Sequence, residues 1–221
     1  MAKASRVAPN TVNLIVALLG AESTGKSDLA ADLVAALKAQ GHSAAMVAEY
    51  LREFCDVQGR TPLQSEQAHI AEVQTQRIQQ AAQAFDIVVA DTTALMTAVY
   101  SQLVFADESL YSMAIRAHAA VDVTLVTALD LPWLPDGLQR DGPHVREPAD
   151  ALLRSALAAA DVNYSVVFGV GPARLESALK TVLRALVGAL GNEDAEAANA
   201  RWHWRCERCG DSSCERLKLP R

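Results

Sequence analysis

An aliphatic run, Val12 to Leu19, flows straight into Gly20-Ala21-Glu22-Ser23-Thr24-Gly25-Lys26-Ser27, and this junction constrains the chain more than any other feature. The octet satisfies GxxxxGK[ST], and a buried-strand pattern before it and a helical pattern after it supply the context such a motif requires. Gly20 and Gly25 permit a tight loop, successive backbone N–H groups and the following helix N-terminus cradle phosphate oxygens, and Lys26 neutralises their charge. Ser27 supplies a hydroxyl ligand for Mg²⁺. The loop is therefore expected to bind ATP with magnesium.

Downstream, strands and helices alternate. Strands are expected at Ala44–Ala48, Asp86–Asp91, Val121–Thr127 and Tyr164–Gly169, with helices over about 27–39, 63–84, 93–105, 109–119, 148–160 and 172–190. Strand–helix alternation implies a five-stranded parallel sheet covered by helices on both faces. The expected organisation is a leader (1–11), one α/β domain (12–190), a segment 191–200 that is either a linker or an extension of the last helix, and a Cys/His-rich tail (201–221).

Charge narrows the classes of partner. The 221 residues carry a formal charge of −6, yet residues 201–221 hold six basic side chains against three acidic ones, leaving a body of −9. An acidic body argues against nucleic-acid or anionic-membrane binding by the main domain. Lys3 and Arg6 before the apolar run mimic a signal peptide, but the run is short and leads into the phosphate loop, so a cytoplasmic protein is expected. Of the four cysteines, Cys55 stands alone and is expected to pack as a small hydrophobe.

Phosphoryl transfer to a hydroxyl needs carboxylates that hold magnesium and accept the acceptor's proton. Asp91, ending the third strand, suits the magnesium shell, with helix capping as the alternative role. Glu49, ending the second strand, and Asp91 are both candidates for the base. Arg52 and Glu53 follow Glu49 by a helical step and either bind an acceptor or pair with each other. Arg140 and Arg146, in the Pro/Gly-rich connection 130–147, are either lid cations that stabilise the transferring phosphoryl group or surface charges. Trp133 either stacks on an acceptor base or covers a core edge.

The octet, Ala48-Glu49-Tyr50-Leu51-Arg52-Glu53, Ile70-Ala71-Glu72-Val73-Gln74, Asp91-Thr92-Thr93 and Asp130-Leu131-Pro132-Trp133-Leu134-Pro135-Asp136-Gly137-Leu138-Gln139-Arg140-Asp141 together resemble the P-loop ribosylnicotinamide kinase domains of bifunctional NAD-salvage proteins and their stand-alone AAA-family ATPase relatives. The likeness covers about residues 12–185. It implies a nucleoside/nucleotide kinase-like P-loop fold and ATP-dependent phosphorylation of nicotinamide riboside to nicotinamide mononucleotide. Carried over by position, it puts Lys26 and Ser27 at ATP and Mg²⁺. Glu49, Tyr50, Arg52, Tyr100 and Trp133 fall at the acceptor side, Asp91 at the metal or hydroxyl, and Arg140 and Arg146 in the lid. Tyr100 stands where relatives tend to have Trp. With about a dozen residues before the first strand, neither the adenylyltransferase activity nor the DNA-binding role of the bifunctional relatives is expected. A kinase for another nucleoside or nucleotide, and an ATPase switch whose tail binds a partner, are the competing readings.

In the tail, His203, Cys206, Cys209 and Cys214 present an imidazole and three thiolates within twelve residues, a set that suits Zn²⁺, with reduced unliganded thiols as the equal alternative. Docking of the tail on the body or on a second subunit is preferred to single-stranded nucleic acid, and a monomer and a homo-oligomer both remain open.

Overall fold

The computed structural model describes residues 13–135 and 142–199. In chain order these form β1 (Leu14–Leu19), α1 (Lys26–Ala39), β2 (Ala44–Val47), α2 (Tyr50–Gln58), α3 (Gln67–Ala82), β3 (Ile87–Asp91), α4 (Ala94–Phe105), α5 (Tyr111–His118), β4 (Val123–Thr127), α6 (Arg146–Ala159), β5 (Ser165–Val167) and α7 (Gly171–Asn199). The strands make one parallel sheet in the order β2-β3-β1-β4-β5. The expected five-stranded parallel fold is the observed one.

β1 is central and every residue in it is buried. Because strand side chains alternate between faces, Leu14, Val16 and Leu18 pack with Leu29, Leu33 and Leu37 of α1 and Val182 of α7. Ala17 and Leu19 pack on the other face with Leu95 and Val99 of α4 and Leu153 and Leu157 of α6. Ile15 joins Val88, Ala90 and Ile78 of α3. Each buried leucine stabilises the fold by about 2 kcal/mol relative to exposure, so truncating Leu18 is expected to cost roughly 2–5 kcal/mol.

Parallel pairing places the C-terminal ends of β1, β2, β3 and β4 along one edge, which is where ligands bind in open α/β sheets. At that edge stand Gly20, Glu49, Asp91 and Thr127.

Several boundaries differ from the periodicity. The helix expected from residue 63 begins as α3 only at Gln67. Gln64–Glu66 is a 3₁₀ turn, and the Glu66 carboxylate accepts the Leu63 N–H at 2.7 Å. The fourth strand starts at Val123 rather than Val121, because the Val121 N–H closes the end of α5 on the His118 carbonyl. α6 starts at Arg146, two residues earlier than expected, since Pro148 is tolerated in a first turn. α7 runs to Asn199, through the segment expected to be either a linker or a continuation of the helix. α2, which is not among the expected helices, buries only Phe54 and Cys55. Among the described residues no helix is long and apolar enough to cross a membrane.

Candidate active site

The phosphate loop is fixed by its surroundings. Gly20 has φ +144°, and a Cβ there would overlap the Thr127 hydroxyl; Gly25, at φ +68°, occupies the N-cap of α1 beneath Leu131. The Thr24 hydroxyl bonds to the Ala21 carbonyl at 2.8 Å and to Thr127 Oγ1 at 2.7 Å, while the Thr24 carbonyl accepts from Arg174 Nη2 at 2.6 Å. Arg174 is 5% exposed, also donates to the Gly169 carbonyl at 3.0 Å, and lies 3.6 Å from Asp130. Lys26 Nζ donates to the Ala21 carbonyl at 2.8 Å, so the ammonium is folded back over the loop.

Glu22 and Ser23 tie the loop to the connection after β4. The Glu22 N–H donates to the Tyr100 hydroxyl at 3.0 Å, and its carboxylate accepts from Trp133 Nε1 at 3.1 Å and from the Gly142 N–H at 3.2 Å. Ser23 Oγ accepts the Leu134 N–H at 2.7 Å. Trp133 is thus placed against the phosphate loop, its indole N–H taken by the Glu22 carboxylate, and it does not line the cavity beside the loop. Arg140 lies outside the described residues. Arg146 is 8% exposed at the start of α6, away from the solvated surface, and its Nε and Nη2 have no protein partner.

Asp91 closes β3 at 1% exposure, and its Oδ1 has no hydrogen-bond partner. A buried carboxylate oxygen left unpaired is costly; it and the Ser27 hydroxyl in the first turn of α1 are oxygen donors of the kind a divalent cation takes. The residues therefore fit magnesium. His203, Cys206, Cys209 and Cys214 lie outside the described residues. Among those described, no three His, Cys, Asp or Glu side chains are grouped to hold a metal.

Beside the loop, a cavity of about 430 Å³ runs outward between α2, the start of α3, and α4. Its inner end holds Gly20, Lys26, Glu49 and Thr92; its walls include Arg52, Cys55, Met96, Thr97 and Tyr100; its mouth carries Arg60, Pro62, Leu63, Val104 and Phe105. The Glu49 carboxylate is raised above the ordinary range, chiefly by burial; Asp91 adds to this, while Lys26 and Arg52 oppose it. Arg52 Nε lies 3.2 Å from Glu49 Oε2. At the mouth, Arg60 makes a two-pronged pair with Glu66 at 2.7 Å for each bond, which with the Leu63 N–H holds the Glu66 carboxyl down to about 2. The cavity thus joins a carboxylate raised by burial, a lysine of the phosphate loop and an apolar, aromatic outer half.

Tyr50 faces away from this cavity. Its ring lies 4.5 Å from the Arg77 guanidinium and edge-on to Phe54 and His69, and its N–H donates to Gln74 at 2.8 Å. Glu53 pairs with the same Arg77 at 2.6 Å. Sequence reasoning missed Arg60, Gln67, Met96 and Thr97. Met96 and Thr97 lie one turn before Tyr100, so helical spacing from that residue points to them; Arg60 and Gln67 carry no local signal.

The profile of the family described as AAA domain matches residues 15–174, and the chain belongs to that family. No curated protein matches it significantly. Among solved structures, it is similar to the NadR protein crystallised in complex with NR, with a TM-score of 0.64 and 21% identity over 79% of this chain and 51% of that one. It spans about half of that protein's length. Thymidylate kinase from Ehrlichia chaffeensis is similar with a TM-score of 0.55 and 11% identity, over 78% of this chain and 98% of that one. At these identities the likeness shows the fold.

Proposed function

We propose that this AAA-domain chain is an ATP-dependent kinase that phosphorylates the 5′-hydroxyl of a nucleoside, with nicotinamide riboside as the leading acceptor. The observation that carries this reading is the junction itself: Lys26, Glu49 and Thr92 meet at the inner end of a cavity large enough for a nucleoside, immediately beside the phosphate loop. The NadR protein bound to NR supports the choice of acceptor.

In this reading the backbone of Gly20–Ser27 and the Lys26 ammonium hold the β- and γ-phosphates. Ser27 and Asp91 would hold magnesium, which would offset the charge of the phosphates. Glu49 accepts the proton as the acceptor oxygen bonds to the γ-phosphorus and the bond to the β-bridging oxygen breaks, giving ADP and the phosphorylated acceptor. Burial raises Glu49 toward the pH at which a carboxylate is an effective base. Arg52 steers Glu49, and Tyr100 lies along the acceptor while its hydroxyl receives the Glu22 N–H. Arg146 and Arg140 keep, within this proposal, the lid role that the resemblance implies. Trp133 closes the loop side.

A second reading, an acceptor already bearing a phosphate, draws on the two guanidinium groups of Arg52 and Arg60 in the cavity wall and on the thymidylate kinase likeness. The test is ADP release with Mg-ATP against a panel of nucleosides and nucleotides, with product mass. A nicotinamide-riboside-dependent rate and a mass gain of one phosphate support the first reading. A nucleotide-dependent rate replaces it with the second. Release indifferent to every acceptor favours an ATPase switch.

A further inference from the structure

Asp91 ends β3, and Glu49 follows β2 by two residues at the N-cap of α2. The segments that follow them both meet the side chain of Gln74, in the middle of α3 and 2% exposed. Its Oε1 accepts the Tyr50 N–H at 2.8 Å, and its Nε2 donates to the Thr92 carbonyl at 3.4 Å. A donor on one side and an acceptor on the other fix the orientation of the amide. Only a carboxamide of this length serves both.

Each contact relieves a particular local problem. Tyr50 opens α2, where backbone N–H groups lack helical partners; Glu49, at the N-cap, makes no capping bond of its own and has its carboxylate against Arg52 instead. Gln74 takes the orphan N–H and leaves Glu49 free for the cavity. Thr92 sits at φ +77°, a conformation rare for a β-branched residue, and persists only where its neighbours over-determine it. The Leu18 carbonyl accepts its N–H at 3.0 Å, and Gln74 holds its carbonyl. Thr92 is also the residue directly after Asp91, and it lines the cavity.

We infer that Gln74 is a positioning residue that fixes the separation of Glu49 and the Asp91–Thr92 strand end by bonding both segments through one carboxamide. Its geometric half stands on the two contacts alone; its effect on turnover rests on the kinase reading above.

The test uses the full chain carrying Gln74→Leu, which keeps volume and removes both bonds. Amide hydrogen exchange is expected to quicken at Tyr50 and across residues 91–93 by about tenfold or more, as for loss of about 1.4 kcal/mol of local protection, with residues 20–27 unchanged. Unchanged exchange at Tyr50 and at 91–93 overturns the proposal whatever the protein's activity proves to be. Turnover is expected to fall roughly 10- to 100-fold, as for a misplaced base, with ATP-analogue affinity held within about twofold. In a Glu49→Gln background the same substitution is expected to lose less than about threefold, because the two act as a unit. Equal losses in both backgrounds would reduce Gln74 to a structural residue and overturn its role in turnover. A wild type that phosphorylates no acceptor removes the kinase reading and leaves the exchange result to decide the geometry. Should Gln74→Leu fail to fold, Gln74→Glu keeps the acceptor for Tyr50 and loses the donor. It is then expected to protect Tyr50 and to expose 91–93, and protection of both segments overturns the proposal.

Discussion

The two halves of the site are built differently. On the phosphate side, eight consecutive residues form the loop, and the contacts from Thr127, Arg174 and Tyr100 hold a shape that the loop sequence already dictates. On the side proposed for the acceptor, Glu49, Arg60, Gln67, Thr92 and Tyr100 come from separate elements, and no two of them share a loop. The first half is a local device reinforced from outside; the second exists only when α2, α3 and α4 have packed. Damage to the two halves should therefore register differently.

The largest effect is expected from Lys26→Ala, which removes a phosphate-facing cation and no core contact. Turnover should fall by at least about 100-fold while the melting temperature stays near wild type, as read by ADP release and thermal unfolding. Wild-type turnover would remove Lys26 from the site. Glu49→Gln should lower turnover by about 100-fold or more with ATP affinity nearly unchanged, measured by turnover and calorimetry. A matching loss of ATP affinity would show that the halves are not separable; unchanged turnover would move the base role to Asp91. Next, Arg174→Met strips the Thr24 carbonyl of its donor and should weaken ATP binding by roughly tenfold, in line with about 1–3 kcal/mol for an unpaired buried group, while acceptor KM stays constant. Tyr100→Phe sharpens the comparison, because its hydroxyl touches the loop and its ring the cavity; a loss of about 0.5–1.5 kcal/mol split between ATP and acceptor binding is expected in titrations of each.

The smallest effect concerns pH. Burial raises Glu49 in the folded state, so its contribution to stability is fully present below the ordinary carboxylate range and is lost as pH rises through the raised value. At neutral pH the charged form is a burden on the fold. Glu49→Gln should therefore melt slightly higher than wild type at neutral pH, and the gain should vanish in acid. A gain that persists in acid would locate the effect in packing rather than charge.

The contrast also explains what the sequence makes legible. The strand order of events, the phosphate loop, and the acidic ends at Glu49 and Asp91 follow from contiguous patterns: an aliphatic run, a spaced glycine pair, a charge closing a strand. The cavity wall does not. Whether Tyr50 turns to the acceptor or to Arg77 depends on α3, and whether Trp133 meets a base or the Glu22 carboxylate depends on a loop that precedes it by 111 residues. Such choices are settled by packing between distant segments, which spacing along one segment cannot register. Gln74 illustrates the point: it sits in a stretch rich in Gln and Ala where composition marks nothing, and its importance lies wholly in the two carbonyl and amide groups that other elements bring to it.

Because Leu14 pairs with Ile87 and Val16 with Val123, β1 leaves the ribosome with neither neighbour yet made. A fully apolar strand must wait while most of the domain is synthesised, and the phosphate loop attached to it waits as well. Non-local parallel pairing of this kind folds slowly and leaves sticky surface open in the interval. The strand that carries the phosphate loop is thus synthesised before either of its partner strands and is among the last to be secured.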